Sequence, residues 1–188
     1  MATARKTTSA KPAAKSAARK AAPKALDAIA MLRDDHKKVS ALFDEYEKSR
    51  SATKKQGIVA NICLELSVHA TLEEEIFYPA VRAALKDREL VPEAIVEHAT
   101  LKEFIAKVDG KLPDGDMFDA QIQVMGEYVK HHVKEEQNEM FPKARSSKLD
   151  MAELGQRMLE RKQELLAQPD QIPKKPAAVS ELPSEVPA

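Results

Sequence analysis

Apolar side chains recur every three or four positions in five successive stretches of the chain, which is the spacing of helices that bury one face. In the first stretch the apolar stripe contains Ile29, Leu32, Val39 and Phe43. The pattern predicts five helices, at roughly 26–50, 53–86, 92–109, 116–145 and 148–167. Because short connections between long helices favour antiparallel neighbours, the predicted fold is all-α, an up-down four-helix bundle with an extra C-terminal helix.

The two ends of the chain lack this pattern. Residues 1–24 contain seven basic residues and no acidic one, and residues 168–188 contain five of the eleven prolines. Neither segment holds enough apolar surface to offset the entropy of ordering it. The predicted organisation is therefore a disordered basic arm, a four-helix bundle, an appended helix and a disordered Pro-rich tail, at 1–24, 25–146, 147–167 and 168–188.

Composition excludes several classes of protein. The chain has 188 residues, a single cysteine (Cys63) and five glycines. It has no disulfide framework, no cysteine-based zinc finger and no glycine-rich phosphate loop. No apolar run approaches the roughly 18 residues that a membrane helix needs, and no secretory signal is evident. We expect a cytoplasmic protein without membrane contact.

Four of the five histidines lie within the apolar stripes, one in each of the first four helices. They are His36, His69, His98 and His132. Glu73 and Glu136 follow two of them at the i, i+4 spacing that places both side chains on one helix face. A bare carboxylate inside a bundle costs several kcal/mol unless it is paired, protonated or coordinated. The pattern therefore indicates a buried metal site.

These positions form an internal repeat. His69-x3-Glu73-x5-Pro79 recurs as His132-x3-Glu136-x5-Pro142, and the separations His36–His69 and His98–His132 are 33 and 34 residues. Two helical hairpins that each supply two histidines and one glutamate predict a pseudo-twofold centre. Imidazole and carboxylate donors without thiolate suit iron, manganese or zinc, but six donors are too many for one tetrahedral zinc. Two iron ions spanned by Glu73 and Glu136 are the favoured interpretation.

At these residues the chain resembles the hemerythrin-like HHE cation-binding family. The resemblance covers about residues 26–145 and rests on Asp35-His36, His69-x3-Glu73 before Phe77-Tyr78-Pro79, Glu97-His98, and His131-His132-x3-Glu136 before Phe141-Pro142. It implies a non-haem di-iron centre that meets dioxygen, nitric oxide or peroxide. The metal ligands that it implies are His36, His69, Glu73, His98, His132 and Glu136.

Lys102 occupies the position at which oxygen-carrying hemerythrins have a further histidine. The more symmetric ligand set is similar to that of the HHE proteins and the iron–sulfur cluster repair proteins, and it favours binding or sensing of a small ligand in a stress response over reversible oxygen carriage. Two alternatives stay open, namely an oxidoreductase that consumes peroxide or nitric oxide, and iron storage or delivery. Whether the protein is an enzyme is therefore left open.

Residues beside the predicted ligands have simpler interpretations. Asp35 and Glu97 directly precede ligands on a helix and are expected to point about 100° away, into solvent. His131 is expected to be a solvated neighbour, and Glu74, Glu75 and Glu135 to be surface charges or outer partners of the ligands. The tyrosines, Tyr46, Tyr78 and Tyr128, are expected to be core aromatics.

The basic arm at residues 1–24 admits three interpretations. It is a tether for weak, non-specific contact with DNA, a mitochondrial transit peptide, or a passive solubilising tail. The absence of leucine and phenylalanine from the arm disfavours the transit peptide.

Overall fold

The computed structural model describes residues 27–86 and 88–173. The predicted basic arm and most of the predicted tail lie outside these residues. The predicted all-α fold is confirmed. The helices are α1 (Ala28–Lys48), α2 (Ala52–Leu72), α3 (Tyr78–Leu85), α4 (Leu90–Val108), α5 (Gly115–Glu135), α6 (Phe141–Ser146) and α7 (Met151–Ala167).

Two π-helical turns join four of these helices into two longer helical units. The turn Glu73–Phe77 joins α2 to α3, and the turn Glu136–Met140 joins α5 to α6. The predicted second and fourth helices are therefore continuous in direction, but each contains a turn with one extra residue. The sequence analysis did not predict these turns.

The four long helical units, which are α1, α2 with α3, α4, and α5 with α6, form a closed bundle. Helix α1 packs against α2 and α5, and α4 packs against α5 and α2, so each unit touches two neighbours. Helix α7, the predicted appended helix, packs against α1, α2 and the turn Glu73–Phe77. It therefore covers one flank of the bundle.

Local signals begin and end these helices. The carboxylate of Asp27 accepts a hydrogen bond from the backbone N–H of Ala30, and Asp150 caps α7 in the same way. After α4, Gly110 has a φ of 70°, a left-handed conformation that glycine adopts at low cost. This glycine ends the helix close to the predicted boundary.

The core has two apolar layers with a polar layer between them. On α1, Leu32 belongs to the layer that includes the buried residues of α7, and Val39 belongs to the other layer. His36 lies between them on the same helix. The same order holds on the other long units, with His69, His98 and His132 in the middle position. The fold thus encloses these four histidines between two apolar layers.

The body continues past the end of α7. Residues Pro169–Gln171 form a short 3₁₀ turn, and Ile172 is buried in the layer beneath α7. The packed part of the chain therefore extends a few residues beyond the predicted start of the tail. Within the described residues, no helix is both long enough and apolar enough to cross a bilayer.

Candidate metal centre

The six residues predicted as metal ligands meet in one buried cluster. Each of the four long helical units supplies one histidine, and the two π turns begin at the glutamates. All six side chains are at most 6% exposed: His36, His69, Glu73, His98, His132 and Glu136.

The imidazoles face one another in pairs within each hairpin. The Nε2 atoms of His36 and His69 are 3.0 Å apart, and those of His98 and His132 are 3.2 Å apart. Each pair therefore directs two ring nitrogens at one point, as two ligands of a single ion would.

The two glutamates connect these pairs. Each has one carboxylate oxygen near an imidazole of its own hairpin and near an imidazole of the other hairpin. Glu73 Oε2 lies 3.2 Å from His69 Nε2 and 3.4 Å from His98 Nε2. Glu136 Oε2 lies 3.2 Å from His36 Nε2 and 3.6 Å from His132 Nε2.

The π turns follow from the prolines. A proline in a helix lacks an N–H and clashes with the carbonyl four residues before it. Before Pro79, the N–H of Tyr78 bonds to the carbonyl of Glu73, five residues back, and before Pro142 the N–H of Phe141 bonds likewise to the carbonyl of Glu136. The extra residue accommodates each proline, and both turns begin at a cluster glutamate. The spacing Glu-x5-Pro, which occurs twice in the sequence, was the available signal for the two π turns.

The polar groups of the cluster do not satisfy one another fully, and a bound cation would satisfy those that are left. The buried oxygens Glu73 Oε1 and Glu136 Oε2 have no hydrogen-bond partner, although such atoms are costly to leave unpaired. Two overlapping groups of ligand atoms, all within 4.8 Å of one another in each group, share Glu73. Four imidazole nitrogens and two carboxylates are donors that iron and manganese accept.

The second ring nitrogens of two histidines face acidic residues that precede other ligands. Glu97 Oε2 is 2.6 Å from His132 Nδ1, and Asp35 Oδ2 is 3.7 Å from His69 Nδ1. Asp35 is only 8% exposed and Glu97 is half-buried, so the prediction that both are solvated was wrong. Each of these residues is rotated by about 100° about the helix axis from the ligand that follows it, and its side chain therefore points at the other helix of its hairpin.

The remaining two histidines are supported from the opposite hairpin. Glu74 Oε1 lies 3.1 Å from His98 Nδ1, and the amide of Gln137 lies 3.1 Å from His36 Nδ1. Both residues directly follow a cluster glutamate. Glu74 was among the predicted surface or outer residues, whereas Gln137 was missed, although the repeat itself aligns it with Glu74.

Lys102, which stands where oxygen-carrying hemerythrins have a further histidine, is 3% exposed. Its Nζ lies 2.7 and 2.6 Å from the two carboxylate oxygens of Glu74. Burial raises the pKa of Glu74, but hydrogen bonds from His98 and Lys102 outweigh it and lower the pKa overall. Lys102 therefore keeps the partner of His98 ionised.

The aromatic residue before each proline breaks the symmetry of the cluster. Tyr78 is buried and its Oη donates to Glu136 Oε1 at 2.8 Å, with Glu73 Oε2 at 3.4 Å and His98 Nε2 at 3.3 Å. The equivalent Phe141 stacks on His36 with 5.8 Å between ring centroids. Tyr78 is a core aromatic as predicted, but its hydroxyl lies within the cluster. Burial and the carboxylates of Glu136 and Glu73 raise its pKa well above the usual value.

Opposite charges stabilise the metal-free cluster. Burial lowers the pKa of His69 and His98, but the carboxylates of Glu73 and their other acidic neighbours overcome it, raising the pKa of His69 to about 10 and that of His98 to about 9. Burial likewise opposes ionisation of Glu73, whose pKa nevertheless lies well below its ordinary value because of His69 and His98.

The other residues considered in the sequence lie outside the cluster. Cys63 is buried, as expected of a small apolar side chain, and His131 is exposed. Glu75 pairs with Arg161 of α7 through two hydrogen bonds.

Comparison with known proteins agrees with this geometry. Residues 27–144 match the Hemerythrin HHE cation binding domain family. A crystal structure of a hemerythrin HHE cation binding domain-containing protein from Mycobacterium kansasii superposes with a TM-score of 0.63 at 20% identity, over 77% of this chain and 93% of that one. This second comparison shows a shared fold.

A protein named DNA nickase from Nostoc sp. is 28% identical over 117 residues, which are 62% of this chain. The matched part is 33% of that protein, so the chain spans about one third of the length of this relative.

Proposed function

Because the chain belongs to the hemerythrin HHE cation-binding family, we propose that it is a non-haem di-iron protein that binds or senses dioxygen, nitric oxide or peroxide. The observation that carries the proposal is the connection of two imidazole pairs by two shared glutamates. His36 and His69 would hold one ion, His98 and His132 the other, and Glu73 and Glu136 would contact both.

The donor count supports an open centre. Two-metal sites hold their ions roughly 3.5–4 Å apart, a distance that a shared carboxylate spans. Two imidazoles and two shared carboxylates per ion leave coordination positions free for a small molecule. Bound iron would supply the redox chemistry toward oxidants, and the two apolar core layers would exclude bulk water from it.

The experiment is a spectroscopic titration of the iron-loaded protein, reduced and kept free of oxygen. Dioxygen, nitric oxide and hydrogen peroxide are added separately, and the near-ultraviolet and visible spectrum is followed. The proposal expects a change of at least one ligand-dependent band without turnover. Protein loaded with redox-inert zinc is the control. The absence of any response to all three molecules would contradict the proposal.

Tyr78 favours a second candidate, an oxidoreductase that consumes peroxide or nitric oxide. Its hydroxyl holds a proton at Oη, 2.8 Å from Glu136 Oε1, inside the cluster. A positioned proton donor contributes about 10²–10⁴-fold to a reaction that needs one. Tyr78→Phe keeps the ring and should lower peroxide turnover by about 10²-fold at unchanged iron content if this candidate is correct. Iron delivery predicts instead a transfer of iron to an acceptor protein.

Contact with DNA is a separate proposal for the basic arm. Residues 1–24 lie outside the described residues, and support comes from their seven positive charges and from the relative named DNA nickase. The arm should give retention on DNA that falls steeply with salt. If deletion of residues 2–24 leaves that retention unchanged, the arm does not bind DNA.

A further inference from the structure

We propose that Glu97, His131 and Glu135 form a second, surface cation site through which divalent metal ions reach the buried centre. We call it the uptake site. The inference rests on the proposed metal-binding function and adds a route to it. One ligand atom from each of the three side chains lies within 4.8 Å of the other two.

The uptake site opens from the surface towards the centre. The side chain of His131 is 62% exposed, that of Glu135 34% and that of Glu97 13%. His131 Nε2 is 3.2 Å from Glu135 Oε1, so both are already directed at one point. Glu97 reaches inward, with Oε2 2.6 Å from Nδ1 of the buried His132.

A cavity of about 40 Å³ continues this path, and a few water molecules fit in such a volume. We call it the acidic cavity; the described residues that line it are Leu90, Glu93, Ala94, Glu97, His132, Glu135, Glu136, Glu139 and Met140. No lysine or arginine is among these described lining residues. Its floor includes Glu136, whose buried Oε2 has no hydrogen-bond partner. A cation moving through the cavity therefore meets carboxylates from the surface to the centre.

The internal repeat provides a comparison within the same molecule. With His98 aligned on His36 and His132 on His69, the polar residues of the uptake site and of the acidic cavity correspond to apolar residues on the other flank. Glu93, His131, Glu135 and Glu139 correspond to Met31, Val68, Leu72 and Ile76, which pack in the layer beneath α7. One flank is therefore closed by apolar packing, and the equivalent flank is open and acidic.

The outer carboxylates show the same contrast. Asp35, the equivalent of Glu97, accepts from Nζ of Lys162 on α7 at 2.5 Å. On the closed flank a lysine ammonium therefore pairs with the carboxylate that corresponds to Glu97. Because a negatively charged, low-dielectric cavity concentrates cations, the open flank should accelerate metal association.

The test is the rate of iron(II) uptake by metal-free full-length protein without oxygen, followed by competition with a chromogenic iron(II) chelator. The double variant His131→Ala/Glu135→Gln removes one imidazole and one carboxylate charge from the uptake site and leaves the six cluster residues in place. Glu103→Gln is the matched control, because it removes one exposed charge from α4 outside the cavity. We expect the double variant to take up iron at least about tenfold more slowly and to reach the wild-type iron content, with the control unchanged.

Uptake at the wild-type rate in the double variant would overturn the inference while leaving the proposed function intact. A lower final iron content would also overturn it, because the residues would then belong to the resident centre. A wild-type protein that binds no iron would instead refute the proposed function itself.

Discussion

At the scale of the residue, each histidine of the cluster has one ring nitrogen in the cluster and a polar side chain near the other, within hydrogen-bond distance for His36, His98 and His132 and at 3.7 Å for His69. Asp35, Glu74, Glu97 and Gln137 are these outer partners. Such partners set the orientation and basicity of a metal-bound imidazole. The outer partner is therefore part of the site, even though it does not contact the ion.

Removing the charge of one outer partner should weaken metal binding. Glu97→Gln keeps the shape of the side chain but takes the carboxylate away from His132 Nδ1, which it approaches to 2.6 Å. We expect metal affinity to fall about 10–100-fold, measured by competition with a chelator of known affinity. Glu103→Gln, on the same helix and exposed, is the control. Equal affinities in the two variants would show that Glu97 does not support the histidine.

The sequence allowed the six cluster residues to be predicted, and Glu74 as a candidate outer partner, but not the roles of Asp35, Glu97 and Gln137. His36 and Glu73 were identifiable because a polar residue in phase with an apolar stripe must face the core. Asp35 lies one residue out of phase, and its surroundings depend on which helix packs beside it. Lys162, its partner, is 127 residues away in the chain, so no local pattern reveals the contact.

At the scale of the element, the helices were predicted to within a few residues, whereas the π turns were not predicted. One extra residue in a five-residue turn hardly changes the spacing of the apolar side chains along the helix, so the turn leaves little trace in the apolar pattern. Each turn reorganises the backbone between a cluster glutamate and a proline, as π turns often do at functional sites. The role of α7 was equally hidden, because its own residues do not show which flank it covers.

Helix α7 should contribute strongly to stability through its buried face. Met158 is 0% exposed in the layer next to the cluster. Met158→Ala should lower the free energy of unfolding by about 2–5 kcal/mol, because the truncation leaves a cavity. Urea denaturation of the metal-free protein measures this. The exposed Arg157→Ala is the control, and an equally small effect of both substitutions would mean that α7 is only loosely docked.

At the scale of the whole molecule, two similar hairpins form a pseudo-twofold centre that α7 makes asymmetric. The flank under α7 is closed, and the opposite flank carries the acidic cavity. The pKa values of His69 and His98 are raised and that of Glu73 is lowered, so the stability of the metal-free protein should depend on pH.

Metal-free protein should lose stability as the pH rises from about 6.5. The pKa values of His69 and His98 are about 10 and 9 in the folded state, against 6.5 ordinarily, so the folded chain holds more protons across this range. Their contribution is complete below pH 6.5 and is lost as the pH rises through the folded values. The lowered pKa of Glu73 acts in the opposite sense, and its contribution is lost on acidification below about pH 4.5.

Thermal unfolding of the metal-free protein between pH 6.5 and 9 tests this dependence. The melting temperature should fall across the range. Metal-loaded protein, whose imidazoles are neutral, is the control and should not show the same fall. A melting temperature of the metal-free protein that stays constant or rises would contradict the assignment of protonated imidazoles.

The number of metal atoms per chain in protein purified without oxygen tests the di-iron centre directly. We expect two irons per chain, and their loss in the double variant Glu73→Ala/Glu136→Ala. Circular dichroism must show that this variant remains helical. One zinc per chain, or no metal in a folded bundle, would mean that the protein does not hold a di-iron centre.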